Sequence, residues 1–253
     1  MSILGKPKRK KSILVFGGGS TLGKEVVSQF SEAGWRVYTL DYYDASVECG
    51  GVNGCALPRD SYTPVSLALP AAAPARIQAE IAKKCLDSSC AEKFDVVLNA
   101  TLGFTTAGLN DKDLFETMEY MYRTSVESSL VTAKLASGFM AEGGLLLFVG
   151  SVAALPGTHA PSMLGFGAAK ASVHQMVRLL AGSVGNDLPE RSSVAAIVPE
   201  VLDTPLHRSM NSGEAGANWT PCDVVASKLL EWAQKRRGAS PECFTSIHCY
   251  ITG

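Results

Sequence analysis

The chain has 253 residues, 46% of them hydrophobic, and a net charge of −1. That is enough apolar material for one large core and too little charge for a global field toward nucleic acid or anionic lipid. Seven cysteines, an odd number with no Cys-x-x-Cys pair, point to a reducing compartment and hence to the cytoplasm. No apolar run reaches the ~18 residues of a membrane span, and the four histidines lack zinc-ligand spacing, so no metal is expected.

Residues 1–11 carry no signal-peptide apolar segment and end in Lys6-Pro7-Lys8-Arg9-Lys10-Lys11. The run reads as a solvated basic tail; a nuclear import signal or nucleic-acid arm is the alternative. From residue 12 to 253 the pattern alternates strand and helix as a single unit. Ser12 to Phe16 is an apolar strand, Leu22 to Ala33 has helical spacing, and Arg36 to Leu40 is a second strand ending at Asp41. Residues 44–64 are irregular, and residues 65–75, VSLALPAAAPA, look like a loop insertion. Arg76 to Cys85 returns to a helix, and Phe94 to Asn99 is a strand without alternation, as burial on both faces requires. Asp111 to Met140 is a long helical stretch, and Gly144 to Gly150 is another buried strand. A helix over Met163 to Val184, a strand over Ser193 to Val198, a helix over Pro221 to Arg236 and a strand over Cys243 to Ile251 complete the chain. The alternation predicts an α/β fold: one doubly wound, Rossmann-type parallel sheet with helices on both faces.

Phe16-Gly17-Gly18-Gly19-Ser20-Thr21-Leu22-Gly23 joins the first strand to the first helix. Glycines there let a backbone approach a pyrophosphate, and the helix N-terminus offers free N–H groups and partial positive charge. The same residues match a nucleotide-triphosphatase phosphate loop, but Glu25 follows Lys24 where that loop needs Ser or Thr for magnesium. Asp41 lies at the distance after the glycines where a carboxylate accepts both ribose hydroxyls of adenosine. This favours NADH and disfavours NADPH.

These motifs, with Phe166 four residues before Lys170 and Pro199-Glu200-Val201-Leu202-Asp203-Thr204-Pro205 after the sixth strand, resemble the short-chain dehydrogenase/reductases. Within that superfamily the stretches GGLLLFVGSVAALPGT, MLGFGAAKASVHQMVRLLAG, VLDTPLHRSM and NWTPCDVV resemble quinonoid dihydropteridine reductase. The resemblance implies an NADH-dependent homodimer that returns quinonoid dihydrobiopterin to tetrahydrobiopterin, with a pterin as substrate. It implies that Gly17, Gly19, Thr21, Leu22 and Gly23 line the pyrophosphate and that Asp41 holds the adenosine ribose. Asp60 and Ser61, in a segment similar to one that follows the family's third strand, would lie near the adenine. Lys170 would hold the nicotinamide ribose, and Pro199, Val201 and Thr204 would cover the nicotinamide. Phe104 falls where the family has a tryptophan beside the pterin.

The chain departs from the pattern at the acid. Phe166 stands where the family has a tyrosine whose hydroxyl, four residues from the lysine, shares its helix face. Ser151 occupies the superfamily's serine position, and Ser125 the place of an asparagine. The loop Thr158 to Ser162 is longer and brings His159, a substitute acid to consider; Leu102 stands where the family is rich in glycine. His174 resembles a family histidine and is expected to face packing. Three readings follow: a weakened or substrate-shifted NADH-dependent pterin reductase, a silent relative that binds dinucleotide or pterin, or an interaction protein using its basic arm. Apolar residues on more than one face of the helix after Met163 favour a homodimer.

Overall fold

The computed structural model of the chain describes residues 9–43, 66–70, 73–89, 92–158, 160–216, 219–235 and 249–250. The elements run β1 (Ser12–Phe16), α1 (Thr21–Glu32), β2 (Arg36–Tyr43), β3 (Ser66–Pro70), α2 (Ala75–Ser89), β4 (Phe94–Asn99), α3 (Leu114–Met121), a π-helical turn (Tyr122–Glu127) and α4 (Ser128–Phe139). They continue with β5 (Met140–Val149), a 3-10 turn (Val152–Ala154), α5 (Leu164–Ala181), β6 (Ser193–Ile197), β7 (Val201–Asp203), α6 (Pro205–Met210), β8 (Trp219–Pro221), α7 (Cys222–Lys235) and β9 (Cys249–Tyr250).

The apolar strands have no polar face because both faces are covered. Ile13 and Val15 of β1, Val96 and Leu98 of β4, and Leu145 and Leu147 of β5 join the core against α1 and α7. Their neighbours Leu14, Phe16, Val97, Leu146 and Phe148 join the opposite core, against α2, α4 and α5. The seven-stranded sheet has the order β3-β2-β1-β4-β5-β6-β9. Its first six strands are parallel, with Phe16 beside Leu40 on one side and Asn99 on the other. The strand order reverses between β1 and β4, which opens a crevice at their carboxyl ends.

Several details correct the sequence reading. The stretch 65–75 is not a loop insertion: Ser66–Pro70 is β3, paired in register with Thr39 to Tyr43. It is an edge strand, where a proline costs no ladder bond on the open side. Asp60 and Ser61 lie outside the described residues. Asp41 lies within β2 rather than closing it. The long helical stretch is interrupted by the π-helical turn, and β9 runs antiparallel to β6. Of the basic run, Arg9 bonds the Asp95 carboxylate at 2.7 Å and the Lys93 carbonyl at 2.8 Å, and Lys11 sits over the Trp35 ring. The described part of the run is thus partly spent on the protein's own surface. No helix among the described residues is long and apolar enough to cross a membrane.

Candidate functional site

At the crevice, the turn after β1 packs against the turn after β4. The Gly17 N–H donates to the Leu40 carbonyl at 2.7 Å, and the Ala100 N–H donates to Phe16 at the same distance. Gly17 has φ +88°, and a Cβ on it would lie 2.5 Å from the Thr101 nitrogen. A Cβ on Gly23 would lie 2.0 Å from the Gly17 carbonyl, so the first turn of α1 closes down on the glycine loop. Ser20 caps α1, accepting from the Gly23 N–H at 2.9 Å and donating to Ala100 at 2.7 Å. The carboxylate of Asp41 accepts the Gly19 N–H at 3.0 Å. Burial raises its pKa to about 6, against the lowering effect of that bond and of Lys24. Gly19 and Thr21 line the crevice, whereas Leu22 is buried in the core beneath it.

The turn after β4 is pinned by a buried polar network. Asn99 donates to Ser128 and Ser129, each at 3.0 Å, and accepts from the Thr101 hydroxyl at 2.6 Å. Gly103 lies against Thr124 of the π-helical turn, where a Cβ would meet Oγ1 at 2.4 Å. Leu102, which stands where the family is rich in glycine, packs against the core on the α1 side while its exposed part lines the crevice. Ser125 is buried in the π-helical turn with a hydroxyl that has no hydrogen-bond partner, and its carbonyl accepts from Ser129 at 2.6 Å.

The crevice widens into a cleft of about 580 Å³. Lys170 sits on its floor, buried, donating to the Val149 carbonyl at 3.0 Å. Desolvation lowers its pKa from 10.5 to about 8. Its Nζ lies 5.8 Å from the Phe166 ring centre. Ser151 is buried; its N–H donates to His174 Nε2 at 3.2 Å and its hydroxyl accepts from Ala153 at 3.2 Å. His174 packs as expected, and its ring fills the space that a side chain on Gly150 would need. Burial, then Lys170 and Arg178, lower its pKa to about 4, which keeps it neutral.

One wall of the cleft is aromatic. Phe166 meets Phe104 edge-on at 5.0 Å between ring centres, Phe104 meets His207 at 4.6 Å, and His207 meets Trp219 at 6.0 Å. Pro199, Val201 and Thr204 line the same cleft from the segment that enters β7 and α6.

The sequence profile of the short chain dehydrogenases matches residues 11–215. The chain belongs to the short-chain dehydrogenase family. It is thereby an oxidoreductase of a family that uses nicotinamide cofactors. A curated relative, dihydropteridine reductase of Dictyostelium discoideum, is 29% identical over 223 residues, covering 88% of this chain and 87% of that protein. Among solved structures, a short chain dehydrogenase family protein from Francisella tularensis superposes with a TM-score of 0.70 at 16% identity over 90% of this chain and 93% of the other. A Burkholderia cenocepacia short chain dehydrogenase in complex with NADP gives 0.67 at 19% identity, over 90% and 92%. These two likenesses speak for the fold.

The glycine cradle, into which no Cβ fits at Gly17 or Gly23, suits the family's dinucleotide cofactor; the Asp41 carboxylate lies against Gly19 of that cradle, and Lys170 lies on the floor of the cleft. The structure gathers Gly19, Thr21, Ser151, Phe166, Lys170, Phe104, Pro199, Val201 and Thr204 around one cleft. His159 lies outside the described residues. Sequence reasoning missed His207 and Trp219 as cleft residues. Both sit in stretches quoted for the resemblance, but only the tertiary fold brings them to Phe104.

Proposed function

We propose that the chain is an NADH-dependent reductase of quinonoid dihydropterins, acting as a homodimer. The observation that carries the reading is the aromatic wall formed by Phe166, Phe104, His207 and Trp219 beside buried Lys170, in a chain with a dihydropteridine reductase relative. Such a wall suits a flat bicyclic heterocycle, because ring faces and edges stack on it without requiring hydrogen bonds. The bound nicotinamide supplies a hydride. The protein's part is to orient: the glycine turn and α1 hold the phosphates, Asp41 accepts from ribose hydroxyls, and Lys170 donates to the second ribose. A carboxylate at Asp41 also repels a 2′-phosphate, which supports NADH over NADPH.

The reading requires a proton without a tyrosine. A positioned acid contributes about 10²–10⁴-fold. A quinonoid pterin is a forgiving acceptor, since its reduction restores an aromatic ring. The test is NADH oxidation with freshly generated quinonoid dihydropterin, and turnover no faster than the uncatalysed rate sinks the proposal. Phe166 itself favours a second reading, a silent relative that only binds its ligands. Calorimetry separates the two: NADH binding tighter than NADPH, without turnover, supports the silent relative.

A further inference from the structure

We propose that His207 is the proton donor of the cleft, taking over the function left open by Phe166; this rests on the reductase reading above. His207 lies one aromatic ring away from Phe166, tilted against Phe104 with its centre 4.6 Å from that ring. It lines the same cleft as Lys170 and Ser151.

Its orientation is fixed by a short local device. Thr204 caps α6, and its hydroxyl accepts the His207 N–H at 3.3 Å and lies 2.8 Å from the ring's Nδ1. With a neutral ring, the hydroxyl hydrogen turns to Nδ1 and leaves the ring proton on Nε2. With a charged ring, Nδ1–H donates to the same oxygen, so the cation keeps its partner. In both states Nε2–H, on the ring edge away from Thr204, is unclaimed by Thr204 and can serve an acceptor in the cleft.

The balance of the step is simple. One atom of the acceptor's double bond bonds the hydride that the nicotinamide cofactor would supply, and the π pair of that double bond moves onto the other atom. That atom bonds the proton as Nε2–H breaks, and the imidazolium becomes neutral imidazole with its remaining proton on Nδ1, donated to Thr204; solvent then recharges Nε2. The described charged groups around the ring are few. Lys170 and Glu200 line the cleft, and Asp203 and Arg208 on either side of Thr204 are committed to each other at 2.5 Å. Burial lowers the pKa of His207 below the ordinary 6.5, so the donating form grows as pH falls.

The test uses the full chain with biopterin, an oxidised pterin, as a binding probe. Histidine-labelled protein is followed by nuclear magnetic resonance, with the His207 signal assigned by its loss in His207→Gln. Expected is a shift of the His207 ring signals and of their titration midpoint when biopterin binds. In turnover with quinonoid dihydropterin, His207→Gln should lose about 10²-fold in kcat with KM within about threefold. It should also lose the rise in rate toward acid, although Asp41 still titrates. Biopterin binding with unmoved His207 signals, or a variant of unchanged rate and pH profile, overturns the role of His207 alone. Failure of the parent to bind or reduce any pterin overturns the reductase reading and this role together.

Discussion

Lys170 is held against the Val149 carbonyl inside the cleft floor, where water is scarce and a positive charge is expensive. Its pKa falls from 10.5 to about 8, so holding the charge at neutral pH costs on the order of 3 kcal/mol. The sign follows from proton binding. Between about 8 and 10.5 the unfolded chain binds more protons, so the penalty is complete below 8 and fades above it. Lys170→Met should therefore fold at neutral pH with stability equal to the parent or about 1–3 kcal/mol higher, while losing NADH affinity. Urea unfolding and calorimetry read the two effects, and a large loss of stability would show the lysine to be structural. Four residues earlier on the same helix, Phe166 retains the ring that packs on Phe104 and lacks only a hydroxyl. Phe166→Tyr adds a second acid to the cleft wall near Lys170: beside an intact His207, kcat for quinonoid dihydropterin should change less than about threefold, whereas in His207→Gln it should restore about 10²-fold. A rise of about 10²-fold in the parent would mean that His207 does not deliver the proton.

The end of β5 depends on a histidine from the neighbouring helix. His174 accepts the Ser151 N–H and stands where any side chain on Gly150 would have to go, so the strand's exit is shaped by α5. Its pKa lies at about 4, below the unfolded 6.5. The stability it supports is complete above 6.5 and is lost as pH falls through about 4. Asp41 acts oppositely: raised to about 6, it makes the fold bind an extra proton between 3.8 and 6, so its cost grows with pH there. The two slopes offset, and the parent's acid profile alone will look flatter than either. His174→Gln offers an acceptor that does not titrate. Relative to its own value at pH 7, it should lose about 1–2 kcal/mol less stability at pH 5 than the parent, after allowance for solvent screening. Denaturant midpoints at the two pH values test this, and parallel losses would contradict it.

At the level of the molecule, the strands buried on both faces could be read from sequence because their residues are apolar without interruption, as in β1, β4 and the end of β5. The glycine turn was legible for a similar reason, since backbone crowding at Gly17 and Gly23 leaves a mark in residue type. The edge strand β3 was hidden by the proline and alanines around it, which a central strand would not tolerate. Lys170 and Phe166 were visible as a helical pair, whereas His207 reaches Phe104 only through tertiary folding, which spacing does not encode. The helix α5 leaves Leu164, Ala168, Ala171 and Leu179 exposed along one stripe with the polar Gln175 among them, the largely apolar surface on which the homodimer proposal stands. Light scattering should give the mass of two chains for the parent and of one for Leu179→Glu, and a monomeric parent removes the proposal. The aromatic wall has a further consequence, in optics. Of the three tryptophans, Trp35 and Trp232 are sealed in the core and Trp219 alone lines the cleft beside the His207 ring. Because a charged imidazole quenches an adjacent indole, the chain's ultraviolet emission should dim as pH falls through the His207 midpoint. A dihydronicotinamide in the cleft should take up the same light by energy transfer, so the protein carries its own lamp for both events.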